Sequence, residues 1–148
     1  MKKAGMTLIE LMAVMVIMAI IVSISIPAFI GMGRGFGMRS TVASVRNTLS
    51  FARQWAITHK EEVTFHCDPI SGADGSTFCV TNQAGIYISS VVTNSLDVNF
   101  ENSVSVTFKT DGGLTDTIEK SITIQDRNHP TVTNTITIYG LTGGIKVE

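Results

Sequence analysis

The stretch AGMTLIELMAVMVIMAIIVSISIPA, residues 4–28, is apolar over the length of a bilayer and carries a single acid, Glu10, near its start. About 20 apolar residues span a membrane as a helix. An acid inside such a helix costs about 2.5 to 3.5 kcal/mol on insertion scales, so a carboxylate placed there calls for a partner. Lys2 and Lys3 precede the run, and a positive flank stays in the cytoplasm, which sends the rest of the chain to the far side. An ordinary signal peptide is the plainer alternative, with Ser23 and Ser25 as the small residues of a cleavage site. Against it, the chain is uncharged from Leu11 to Gly33, longer than a signal's apolar segment, and a disposable signal has no use for Glu10.

With 148 residues, 44% of them hydrophobic, the chain has room for one membrane segment and one small domain. The net charge of −1 hides an asymmetry. From Arg34 to Lys60 there are five bases and no acid, whereas from Glu61 on four bases face eleven acids, a net −7. An apolar rod, a basic rod and an acidic domain follow one another.

Gly31, Gly33, Gly35 and Gly37 alternate beyond Pro27. At about 1 kcal/mol each relative to Ala, they predict a flexible or melted joint in the helix. The competing reading is that small residues let neighbouring helices pack closely. Val42, Val45, Leu49, Ala52 and Ala56 then recur three and four apart, an amphipathic stripe that should pack on the domain. Arg39, Arg46, Arg53 and Lys60 recur every seven residues as a second stripe, either a solvated face or an interface with a neighbouring acidic domain. Phe51 and Trp55 read as a core or interface pair. From Glu61 on, short alternating segments predict strands at 63–67, 77–81, 85–92, 104–109, 121–125, 133–139 and 144–147, separated by glycine turns at 71–75, 111–113 and 142–144. The expected fold class is α+β: a long N-terminal helix, transmembrane in its first half, followed by an antiparallel β-sheet domain.

Lys2-Lys3-Ala4-Gly5 followed by Met6-Thr7-Leu8-Ile9-Glu10-Leu11 resembles the class III leader of type IV pilins and type II secretion pseudopilins. The resemblance implies cleavage between Gly5 and Met6 by a prepilin peptidase, N-methylation of Met6, and a Glu10 that pairs with the N-terminal amine of a neighbouring subunit during assembly. The alternative is a Glu10 that lies at headgroup level without a role. Pro27 falls where the family often bends its helix, while Met6 departs from the usual Phe. The implied division is a leader at 1–5, a transmembrane segment at 6–30, the second half of the helix at 31–60 and a periplasmic β domain at 61–148, anchored in the inner membrane by a single pass. Ser50 to Ile57, the strand after it and the closing 136–143 segment are similar to the minor pseudopilin H and FimT-like branch. The function so implied is that of a minor pseudopilin of the type II secretion pseudopilus, a structural subunit helping protein export across the outer membrane. The alternative is a FimT-like minor type IV pilin for pilus assembly or DNA uptake. The implied partners are other pilin or pseudopilin subunits, the peptidase and the inner membrane, with no small-molecule substrate and no cofactor. DNA is disfavoured as a partner, because a domain at −7 repels phosphates unless the basic helix is exposed.

In an exported chain Cys67 and Cys79 are expected to form a disulfide, worth about 3 kcal/mol for a loop of this length. His66 beside Cys67 lacks the spacing of a zinc set, and no metal is expected. The 68–74 and 111–116 loops read as solvated turns rather than calcium loops. His59, His66 and His129 have no nucleophile motif around them, so a structural subunit is expected rather than an enzyme.

Overall fold

The computed structural model describes residues 7–69, 76–94 and 98–148, and for 26–35 the backbone alone. It divides into two compact units, one up to Phe36 and one from Gly37 on. A single helix, α1 (Leu8–His59), contributes to both.

The backbone is helical through Gly31–Gly37, which corrects the expectation of a melted joint. Glycine's cost is a propensity term, a weak prior. Here α1 is already nucleated on both sides, and each added residue of a nucleated helix gains a hydrogen bond without a new nucleus. Pro27 sits within the helical run, and its side chain lies outside the described residues.

In the first unit every side chain from Thr7 to Ser25 is exposed. Residues Leu8–Ser25, at mean hydropathy 2.6, are long and apolar enough to cross a membrane.

In the second unit α1 buries Met38, Thr41, Val45, Leu49, Ala52 and Ala56, spaced three and four apart. Val42, expected in that stripe, lies at its edge and is half-buried. The helix ends as Lys60 turns into the left-handed region at φ 55°. Among the described residues eight strands follow: β1 (Val63–Asp68), β2 (Thr77–Asn82), β3 (Val92–Thr93), β4 (Val98–Phe100), β5 (Val104–Phe108), β6 (Lys120–Asp126), β7 (Thr133–Ile138) and β8 (Ile145–Val147). They form two antiparallel sheets, ordered β3-β2-β1-β5 and β4-β6-β7-β8. Alternation places Val63, Phe65, Phe78, Val80, Val106 and Phe108 of the first sheet in one core with Phe100, Ile122, Ile124, Ile136 and Ile138 of the second. Phe78 touches Phe65 at 5.9 Å and meets Phe100 edge-on at 6.3 Å, joining the two sheets. A buried polar link runs beside it: Asn94 Nδ2 donates to Ser76 Oγ at 3.1 Å, and Ser76 Oγ donates to the Val98 carbonyl at 3.2 Å.

The expected 85–92 strand is replaced by a turn at Gly85 (φ 76°), a bridge between Thr81 and Tyr87, and the two-residue β3. Its apolar residues Ile86, Tyr87 and Val91 face solvent. β4 was not among the expected strands.

The expected disulfide is absent: both cysteines are free thiols. Register explains it. Cys67 lies opposite Phe78 and points into the core, whereas Cys79 lies opposite His66 on the outer face. Two cysteines on opposite faces of one sheet cannot satisfy disulfide geometry. Burial pushes the Cys67 thiol up to about 11, and it donates to the Val104 carbonyl at 3.4 Å.

Candidate functional site

At the head of α1, Thr7 and Glu10 hold each other. The Thr7 N–H and hydroxyl both donate to Glu10 Oε2, at 2.9 and 3.0 Å, and the Glu10 N–H donates to Thr7 Oγ1 at 3.4 Å. This is a capping box, which satisfies donors that a helix start leaves unpaired. Its Thr-x-x-Glu signature stands in the sequence and explains part of Glu10 that the insertion cost alone does not. Every contact falls on Oε2, and Oε1 has no partner among the described residues. Gly5 and Met6, the expected processing pair, lie outside the described residues.

The apolar helix below is uniform because its hydroxyls are turned inward. Ser23 Oγ donates to the Ile20 carbonyl at 2.7 Å, and Ser25 Oγ to the Ile21 carbonyl at 2.8 Å.

The basic stripe separates into two kinds of residue. Arg53 is half-buried and its Nε donates to the Gly112 carbonyl at 3.1 Å, so it latches α1 onto its own domain. Under this latch two loops interlock. A Cβ at Gly143 (φ 62°) would come 1.9 Å from the Gly112 carbonyl oxygen, and one at Gly140 would come 2.1 Å from that of Thr117. Arg39, Arg46 and Lys60 are exposed. Among the described residues none of them pairs with an acid; the ion pairs there are Lys120–Asp116 and Lys146–Glu148. Arg39 and Arg46 flank a cleft of about 290 Å³ floored by Val42, Ala43 and Val147.

Phe51 and Trp55 stack obliquely at 5.6 Å, and His59 continues the column, lying on Trp55 at 3.8 Å with its ring within 12° of parallel. Phe51 and His59 are exposed, while Trp55 is half-buried against the core, so the column runs from the edge of the core out to solvent. His66 is bracketed on the outer sheet face by Ser105 Oγ and Thr81 Oγ1, each at 3.1 Å, with Thr64 and Thr107 paired beside it at 3.1 Å. These contacts make a cross-strand hydroxyl ladder. In the 111–116 loop, Asp111 accepts from Gly113 N–H at 2.9 Å, and Lys120 at 2.7 Å holds the Asp116 carboxyl below its usual range. Much of the 68–74 loop lies outside the described residues.

Residues 1–26 match the family model of the prokaryotic N-terminal methylation motif. The fold is similar to that of the type IV minor pilin FimU of Pseudomonas aeruginosa (strain PAO1), solved in two crystal forms. Against one the TM-score is 0.58 at 15% identity, covering 74% of this chain and 91% of that one. Against the other it is 0.60 at 15% identity, covering 75% and 87%. No curated protein sequence matches the chain.

Proposed function

From a chain that is type IV pilin-like, in its N-terminal methylation motif and in its fold, we infer a minor structural subunit of a filament anchored in the inner membrane by α1. The observation that carries this reading is the Glu10 carboxylate, fixed at the head of an exposed apolar helix with one oxygen used and the other without a partner among the described residues. Cleavage between Gly5 and Met6 would leave an amine beside Thr7, and the capping box would hold Oε1 ready for the amine of a neighbouring subunit. A buried carboxylate is stable only when paired, so the pairing favours packing of one helix against another over solitary residence in lipid. The β domain then lies on the periplasmic side, carried into the filament by the helix.

The machine we propose is the type II secretion pseudopilus, in which the chain is a minor pseudopilin. FimU is a type IV minor pilin, and likeness to it favours the second reading, a minor type IV pilin serving pilus assembly or DNA uptake. For DNA the exposed cations among the described residues of α1 are Arg39 and Arg46, with Lys60 just beyond its end, against a domain at −7.

Two experiments test the proposal. Intact mass of the membrane-extracted protein should show a chain beginning at N-methylated Met6; a start at Ile26 would mean an ordinary signal peptide and end the filament reading. Deletion of the gene should abolish export of secreted enzymes while surface pili persist. Loss of pili with export intact would select the second reading, and loss of neither would refute both.

A further inference from the structure

A sheet ends in edge strands whose outer N–H and C=O groups invite another strand, and native folds cover or shorten such edges. Here two edges are covered by particular contacts. On β4 the outward carbonyl of Val98 accepts from Ser76 Oγ at 3.2 Å. On β5 the outward carbonyls of Thr107 and Ser105 accept from Thr115 N–H at 3.0 Å and Lys120 Nζ at 2.8 Å. β3 has only two residues. β8 is different. Glu148 and Thr135 exchange both hydrogen bonds, and Tyr139 N–H donates to the Gly144 carbonyl. Antiparallel pairs alternate between bonded and non-bonded, so Lys146 is bonded to Thr137 while Ile145 and Val147 turn their N–H and C=O groups away from β7. Among the described residues these four groups have no partner.

The edge is bordered by α1. Beside Val147 is the cleft flanked by Arg39 and Arg46; beside Ile145 is another of about 460 Å³, lined by Ser50, Gln54 and Ile57. Both clefts are largely apolar, and their exposed cations, Arg39 and Arg46, lie about 10 Å apart along the helix.

We propose that the outer edge of β8 accepts an extended acidic segment from a neighbouring protein subunit, which pairs with Ile145 and Val147 and sets two carboxylates against Arg39 and Arg46. Same-face side chains of a strand recur every 6.6 to 6.8 Å or so, so acids two or four residues apart, on one face, reach the two guanidinium groups. Main-chain pairing supplies the attachment and the arginines supply the selection, the division of labour in strand addition. The net −7 of the rest of the domain repels the same segment elsewhere and so confines it to this flank. The inference is independent of the anchoring reading, since it uses no residue before Gly37, and a failure of Glu10 pairing leaves it intact.

The test uses the full chain in detergent micelles, with residue-resolved amide exchange as the readout. The probe is acetyl-Glu-Val-Thr-Val-Glu-amide, with the same peptide bearing Lys in place of Glu as control. The acidic peptide at millimolar concentration should slow exchange of the Ile145 and Val147 amides roughly tenfold while leaving the already bonded Lys146 amide unchanged. The Lys peptide should have no effect. R39E/R46E should weaken protection at least about tenfold. Val147→Pro removes one outward N–H without touching the β7 ladder and should weaken binding at Ile145. Unprotected edge amides in the wild type, equal protection by the Lys peptide, or full protection in R39E/R46E would each overturn the proposal.

Discussion

The two halves of α1 have the same backbone and opposite relations to the rest of the chain. Before Phe36 the helix buries no described side chain, and its surface from Leu8 to Ser25 is apolar and exposed. After Gly37 it gives up one face, Met38 to Ala56, to a core shared with two sheets, and keeps Arg39 and Arg46 outside. A helix therefore does not reveal from its own regularity what will cover it. The cover is read from composition in the first half, apolar on every side, and from period in the second, apolar on one side only.

The contrast can be broken most severely in the β domain. Phe78→Ala opens the contact between the sheets and should cost about 3 to 5 kcal/mol in chemical denaturation, whereas Met15→Ala, in the exposed half, should leave the domain's unfolding midpoint unchanged. Gly143→Ala should cost more than 2 kcal/mol or so, because the new methyl meets the Gly112 carbonyl and the residue must hold a positive φ. A melt within a degree of wild type would show that the interlocked loops can separate freely.

Glu10→Leu sharpens the comparison from the other side. The variant should be processed, remain in the membrane and keep the wild-type domain melt, yet lose crosslinking to partner subunits. Wild-type association of the processed variant would refute the Glu10 pairing. Thr7→Ala removes only the cap, at about 1 kcal/mol, and should raise amide exchange in the first turn of α1 without altering the domain.

The smallest effects concern the thiols. Cys79→Ser should shift stability by under about 0.5 kcal/mol, since no bridge is lost from the outer face. Cys67 has a folded value near 11 against an ordinary 9. The neutral thiol is favoured by folding, so its contribution is complete below pH 9 and lost as pH rises from 9 towards 11. Stability towards denaturant should fall less steeply across that window in Cys67→Ala than in wild type.

Much of this was legible in the sequence, and the rest was hidden for definite reasons. Order of elements, the buried stripe of α1 and most strands follow from period and turn chemistry, which are local. The Thr7 and Glu10 contact was equally local, and the insertion cost of the acid drew attention from a capping motif written beside it. The cysteines were not legible, because a disulfide across paired strands depends on register, and one residue of register separates the core face from the outer face. Arg53 shared the spacing of Arg39 and Arg46, and spacing says which face a residue occupies without saying what lies against it. Only the tertiary approach of the Gly112 turn makes it a latch. The glycine run misled because a per-residue propensity was summed as though each residue had to start a helix of its own.

One consequence of the topology concerns time. Arg53 waits for a carbonyl 59 residues further along the chain, and β1 is not enclosed until β5 has arrived. The second sheet waits longer, since β7 gains its outer neighbour only at Ile145–Val147. On a chain emerging from its N-terminus, the apolar face of Val45, Leu49 and Ala52 is therefore complete as a helix long before anything exists to cover it. Non-local pairings of this kind form slowly and leave sticky surface exposed while they do. The period between emergence and closure is when this chain is most open to capture, by a chaperone, a protease or another copy of itself.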